Sequence, residues 1–138
     1  LNNKEVEFQT PYQKDLFTQV QPFLNRINNV YLQEKTLYSD FLKTAGRVDC
    51  IAEFDGRLSV IDFKTSSKPK REEYITNYFQ QGSAYAVMFE ERVGQPIDTI
   101  VIIMAVDGNE PQLFVKKRDD YIDGYREVRK NYEQAFGI

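Results

Sequence analysis

Asp49, Asp62 and Lys64 are the side chains of this sequence whose types and spacing best fit a shared chemical task. Between the two acids lies Asp55-Gly56, flanked by the strand-like runs Arg47 to Phe54 and Arg57 to Phe63. Asp-Gly between apolar runs is a strong hairpin signal, because both turn positions need positive φ. With these two residues as the turn, Phe54 faces Arg57, and residues whose numbers sum to 111 oppose each other. Asp49 and Asp62 meet that sum. Opposed residues share a face, with Cβ atoms roughly 4.5–5.5 Å apart. Two carboxylates held so closely repel unless one is protonated or a cation sits between them. A hard divalent ion with oxygen ligands removes the conflict and stores a Lewis acid. Lys64, two residues past Asp62, lies on the same face, and Phe63 between them turns into the core.

Hydrolysis of a phosphodiester needs this combination. A metal polarises the phosphoryl oxygens and acidifies a water, while an ammonium orients that water or offsets the developing charge. Asp-x-Lys by itself is common and more often inert, so the wider chain must supply the rest of the case.

The elements that must position these residues are legible in outline. Thr10-Pro11-Tyr12-Gln13 has the layout of a helix start: threonine cap, proline at the first position, glutamine closing a capping box. Phe17, Val20, Leu24 and Ile27 follow at helical spacing, with Asn28-Asn29 as the expected end. Val30 to Ser39 reads as extended, and Thr65 to Arg71 as a polar loop. Glu72 to Val93 is helical in pattern, with Gly94 and Pro96 as stop signals. Ile97 to Val106 is the most apolar run and predicts a strand buried on both faces. Gln112 to Lys116 predicts a short edge strand. Asp119 is placed to cap a final helix in which Ile122, Tyr125, Val128 and Tyr132 share a face. The expectation is one α/β domain over residues 1–138, a mixed sheet flanked by helices.

Composition narrows the chemistry further. The chain is 41% hydrophobic, enough for one core without staples, and has one cysteine and no histidine. Multi-cysteine zinc and iron–sulfur sites are therefore excluded, and any metal must be held by oxygen, which favours Mg2+ or Mn2+. No run is long enough to span a bilayer, no secretory signal is visible, and an intracellular setting is expected. The net charge of −3 is unlike a nucleic-acid binder, yet a bound cation supplies positive charge locally. Lys64, Lys68, Lys70 and Arg71 cluster with no acid between Phe63 and Arg71 and form a candidate phosphate track. A merely solvated loop is the competing reading, as surface decoration is for Lys116-Lys117-Arg118. Cys50 is expected to be a small buried hydrophobe on the face opposite Asp49.

Three blocks in order, Gly46-Arg47-Val48-Asp49, Val60-Ile61-Asp62-Phe63-Lys64-Thr65 and Gln81-Gly82-Ser83-Ala84-Tyr85, resemble the PD-(D/E)XK nuclease superfamily, in particular its RecB-type exonuclease branch. The wording around Asp49-Cys50 and Lys64-Thr65-Ser66 is similar to mitochondrial genome maintenance exonucleases and related phage exonucleases. The resemblance covers roughly Val30 to Val106 and implies a restriction-endonuclease-like αβββαβ core. It implies that Asp49 and Asp62 are metal ligands, that Lys64 is the catalytic lysine, and that the Phe63 carbonyl is a further ligand. Gln81 and Tyr85 match a Gln-x-x-x-Tyr helix motif that helps position substrate; as i and i+4 residues they share one helical face in any case. Glu34 sits where many relatives carry an additional acid. Val48 stands where the proline that names the superfamily would be, and no histidine precedes the core.

The function expected is Mg2+- or Mn2+-dependent hydrolysis of DNA, from single-stranded or free ends, with no membrane partner. The rival readings are a structure-specific endonuclease or resolvase on the same core, and a catalytically silent nucleic-acid-binding module.

Overall fold

The computed structural model describes residues 11–39, 42 and 44–137. Helix α1 (Pro11–Leu24) leads into three strands, β1 (Ile27–Ser39), β2 (Thr44–Phe54) and β3 (Arg57–Ser66). A 3-10 turn at Glu72–Tyr74 precedes helix α2 (Thr76–Val93), followed by β4 (Thr99–Val106) and β5 (Gln112–Lys117). A second 3-10 turn at Arg118–Asp120 leads to helix α3 (Ile122–Phe136). The five strands form one sheet in the order β1-β2-β3-β4-β5. β3 and β4 are parallel, and the other neighbours are antiparallel. Parallel neighbours need a crossover, and α2 supplies it. The α/β class and the mixed sheet flanked by helices are as the sequence predicts.

The hairpin forms at the expected turn. Asp55 and Gly56 have φ of 52° and 78°, and the ladder runs from Phe54↔Arg57 to Cys50↔Ile61 with partner numbers summing to 111. Arg26 grips the Asp55 carboxylate through its guanidinium, stacks on Phe54, and accepts the Asp55 N–H on its carbonyl at 3.1 Å. This clamp explains one departure from the sequence reading. The first helix ends at Leu24 rather than Asn28, because Asn25-Arg26 turn to reach the hairpin and Ile27 begins β1 opposite Phe54. Pro11 opens α1 as expected, while the Thr10 cap lies outside the described residues.

The sheet separates two packed layers. On the α1 side Cys50, Ala52, Ile61, Val101 and Ile103 meet Val20, Phe23 and Leu24. On the α2 side Ile51 and Val60 pack under Ala84, Tyr85, Met88 and Phe89, and Ile100, Ile102 and Met104 under Phe79. Every residue of β4 is buried, in keeping with its unbroken apolar run. Gln19 of α1 closes the end of that strand: its Oε1 accepts the Val106 N–H at 2.6 Å, and its Nε2 donates to the Val106 and Asn109 carbonyls.

Several boundaries of the later elements differ: α2 begins at Thr76, after the 3-10 turn, rather than at Glu72, and β4 at Thr99 rather than Ile97. Thr65 and Ser66 extend β3, paired with Ala105 and Val106, so the polar loop begins only at Ser67. The parallel ladder satisfies their backbone where polar composition alone suggested a loop. Asp119 does not cap α3. It lies in the 3-10 turn with its carboxylate on Arg118 at 3.1 Å, and the helix starts after Tyr121 without a side-chain cap. On α3, Ile122 and Tyr125 pack on the core, whereas Val128 is 57% and Tyr132 45% exposed. Among the described residues no helix is long and apolar enough to cross a membrane.

Gly82 is where α2 comes closest to the sheet, since a Cβ there would sit 2.5 Å from Cγ2 of Ile100. Ile100 is fully buried and has no room to yield. Gly82→Ala is expected to destabilise the protein by ~1–3 kcal/mol through overpacking, despite alanine's better helix propensity. Urea denaturation checks this; an unchanged or raised midpoint would show that the layers can separate.

Candidate active site

The strands β2 and β3 part company at the site. Their ladder ends at Cys50↔Ile61, after which β2 stays paired with β1 and β3 with β4. At the first step beyond, the Asp49 carboxylate accepts the Phe63 N–H at 3.0 Å, a donor that a continuing ladder would offer to the β2 backbone. The directly opposed Asp49↔Asp62 pair expected from the turn is therefore not part of the ladder, because Asp49 ends it with its own side chain. Backbone N–H and C=O of one strand residue point to the same edge, so the Phe63 carbonyl is directed to the Asp49 side.

Asp62 lies on the α2 side of β3, beside Asp49 and within hydrogen-bonding reach of it. Burial, reinforced by Asp49 and partly offset by Lys64, pushes the Asp62 carboxyl up to about 7. The Lys64 ammonium is 3.1 Å from Asp62 Oδ2 and 4.6 Å from the centroid of the Tyr78 ring. Phe63 points to the α1 layer. The alternation along Asp62-Phe63-Lys64 therefore delivers two charged groups to one face and an anchor to the other.

Helix α2 roofs the pair. The Gln81 Nε2 donates to the Tyr85 hydroxyl at 3.0 Å. Burial, then the charges of Asp62 and Asp49, raise the Tyr85 hydroxyl above its usual pKa, which places it in the field of both carboxylates. Gly46 lies against this ring, where a Cβ would approach Tyr85 Cε1 at 2.7 Å. Gly46 of β2 and Tyr85 of α2 therefore need each other's shape. Tyr78 was not singled out by sequence reasoning, although its position three residues before Gln81 puts it on the same helical face.

Glu34 is placed differently from a third ligand. The pairs Gln33↔Cys50 and Lys35↔Val48 set it across from Asp49, but its φ of 52° breaks the strand geometry. Its carboxylate is 3.7 Å from the Arg47 guanidinium and its side chain 75% exposed. The structure thus pairs Glu34 with Arg47 rather than with the aspartates, and among the described residues no three acidic, histidine or cysteine groups converge. Lys68, Lys70 and Arg71 lie exposed on the loop after β3. Lys116 and Arg118 are tied instead to Glu72, and to Glu90 and Asp119. Cys50 sits behind Asp49, buried, its thiol pushed up to about 11 by burial and by the Asp49 charge. It is an inert packing residue.

The donor set fits a hard cation. Asp49, Asp62 and the Phe63 carbonyl offer oxygen only, and the strain on Asp62 is that of a negative charge with too little compensation.

The chain matches the PD-(D/E)XK nuclease superfamily over residues 4–135. It belongs to that superfamily. Members are generally dependent on a divalent metal. The mitochondrial genome maintenance exonuclease 1 of Mus musculus is 45% identical over 51 residues, 37% of this chain and 15% of that protein. Its counterpart in Xenopus tropicalis is 33% identical over 113 residues, 78% of this chain and 31% of that protein. The chain thus spans less than a third of the length of these relatives. A putative exonuclease from Eubacterium rectale shares the fold, with a TM-score of 0.60 at 11% identity over 84% of this chain and 48% of that one.

The carboxylate pair has a consequence for stability. An aspartate whose folded pKa lies above its unfolded value stabilises the protein below about pH 4 and loses that contribution as pH rises towards 7. Metal-free protein in chelator should therefore lose thermal stability across this window, and Asp62→Asn protein should not. Excess Mn2+ should restore the wild type at pH 7. Parallel melting curves for the two proteins would remove this reading of the pair.

Proposed function

We propose that this chain is a Mg2+- or Mn2+-dependent deoxyribonuclease that hydrolyses phosphodiester bonds at DNA ends, with a preference for single strands. The observation that carries the proposal is the meeting of Asp49 and Asp62 at the parted ladder, with Lys64 3.1 Å from Asp62. Membership of a nuclease superfamily supports it, and the exonuclease relatives favour action from ends.

Asp49, Asp62 and the Phe63 carbonyl would hold the ion, which supplies Lewis acidity towards a phosphoryl oxygen and a water. Lys64 lies where its ammonium can orient that water or stabilise charge building on phosphorus. Asp49 has a second duty, because its bond to the Phe63 N–H fixes the carbonyl donor of the same residue. Gln81 donates to the Tyr85 hydroxyl and so helps fix the ring that lies against Gly46, beside the carboxylates. Lys68, Lys70 and Arg71 line the approach for phosphates.

Asp62→Ala and Lys64→Ala are each expected to lower DNA hydrolysis at least about a hundredfold, with melting curves showing retained fold. Excess chelator should abolish activity in the wild type. Linear single strands should be degraded and circular ones left intact. Undiminished hydrolysis by either variant would remove the proposed site, and cleavage of circles would replace end-directed action with an endonuclease.

A further inference from the structure

The chain leaves the site at Lys64 and returns to it at Tyr78, whose ring covers the Lys64 ammonium. Residues 65–77 are therefore an excursion along the rim. Its backbone is bolted down. The Lys70 N–H donates to Gln112 Oε1 and the Lys70 carbonyl accepts from Gln112 Nε2, both at 2.8 Å. Ser66 Oγ donates to the Lys68 carbonyl at 2.6 Å, and the Tyr74 N–H to the Arg71 carbonyl at 3.0 Å. The side chains are left free by comparison. Lys68, Lys70 and Arg71 are exposed and make no ion pair among the described residues. Glu72, which would weaken this basic run, is held by Lys116 at 2.7 Å, with Glu73 the exposed acid beside it.

Tyr74 stands out in this segment. It is 74% exposed, the most exposed of the large hydrophobic side chains among the described residues. It precedes Tyr78 by four residues, roughly 6–8 Å along turn and helix. A rigid backbone that offers cations and an uncovered aromatic ring suits an unpaired strand, because phosphates meet the cations and a base face meets the ring. A duplex presents base faces only at its ends. Tyr132 and Phe136 on α3 are also exposed, but their rings pack on each other at 4.7 Å and the Tyr132 face is covered by Arg129 at 5.1 Å.

We propose that Tyr74 is a stacking platform for an unpaired base, and that with Lys68, Lys70 and Arg71 it seats a single strand beside Lys64. The assignment rests on the nuclease reading for its substrate, and it locates a preference for single strands in one side chain. The test uses Asp62→Asn protein, so that binding is measured without cleavage. Fluorescence anisotropy of a labelled oligothymidylate should show binding weakened roughly five- to a hundredfold by adding Tyr74→Ala, and restored to within about twofold by Tyr74→Phe. A labelled abasic strand and a blunt duplex should change by less than about twofold. Equal binding of oligothymidylate by the parent and Tyr74→Ala proteins would overturn the proposal. So would an equal loss on the abasic strand, or no measurable binding by the parent. Wild-type cleavage without a Tyr74 effect removes the platform alone. A Tyr74 effect without wild-type cleavage removes the nuclease reading alone.

Discussion

Two like charges are forced together where a pair of strands separates, and the rest of the structure is arranged around that repulsion. Asp49 and Asp62 each belong to a strand with another partner, so neither can retreat without breaking a ladder. Burial takes Asp62 largely out of water, and Lys64 offsets only part of the cost. A site of this kind is under tension until a cation arrives. On the proposed function, that tension is what a divalent ion would relieve.

The scaffold serves that placement at several removes. Arg26 ties the end of α1 to the hairpin turn and so fixes where the ladder begins. The turn fixes the register, and the register fixes which residues arrive at the point of parting. On the other side, Gly82 lets α2 settle onto β4, and Gly46 accepts the ring of Tyr85. These two glycines set the height of the helix over the sheet and thereby the distance of Gln81 and Tyr85 from the carboxylates. Gln19 closes the far end of β4 by serving a buried strand terminus with one side-chain amide.

Much of this was legible because it follows local rules. Asp55-Gly56 announces its turn, and arithmetic on residue numbers carries the pairing to Cys50↔Ile61. Gly94 ends α2 in the left-handed conformation that its position demands. What the sequence concealed depends on tertiary partners. Ile27 continues a helical stripe, yet Asp55 recruits Arg26 and turns the chain before it. Thr65 and Ser66 are polar, but a parallel neighbour takes their backbone into the sheet. Asp119 has the chemistry of a cap and is drawn instead to the adjacent guanidinium of Arg118. Glu34 has the right register and the wrong backbone, since positive φ is not visible in a glutamate's identity. Tyr78 was hidden among nine tyrosines, because its ring acquires meaning only when Lys64 is folded beneath it.

The alternation along Asp62-Phe63-Lys64 has a bearing on partially ordered forms of the protein. A slip of β3 by one residue would bury both charges in the α1 layer and expose the phenylalanine, exchanging the reactive face for the oily one. No intermediate offset keeps half of the machinery. Under the proposed function, competence should accordingly be quantised: a molecule threaded in register carries the whole face, and a mis-threaded one carries none of it.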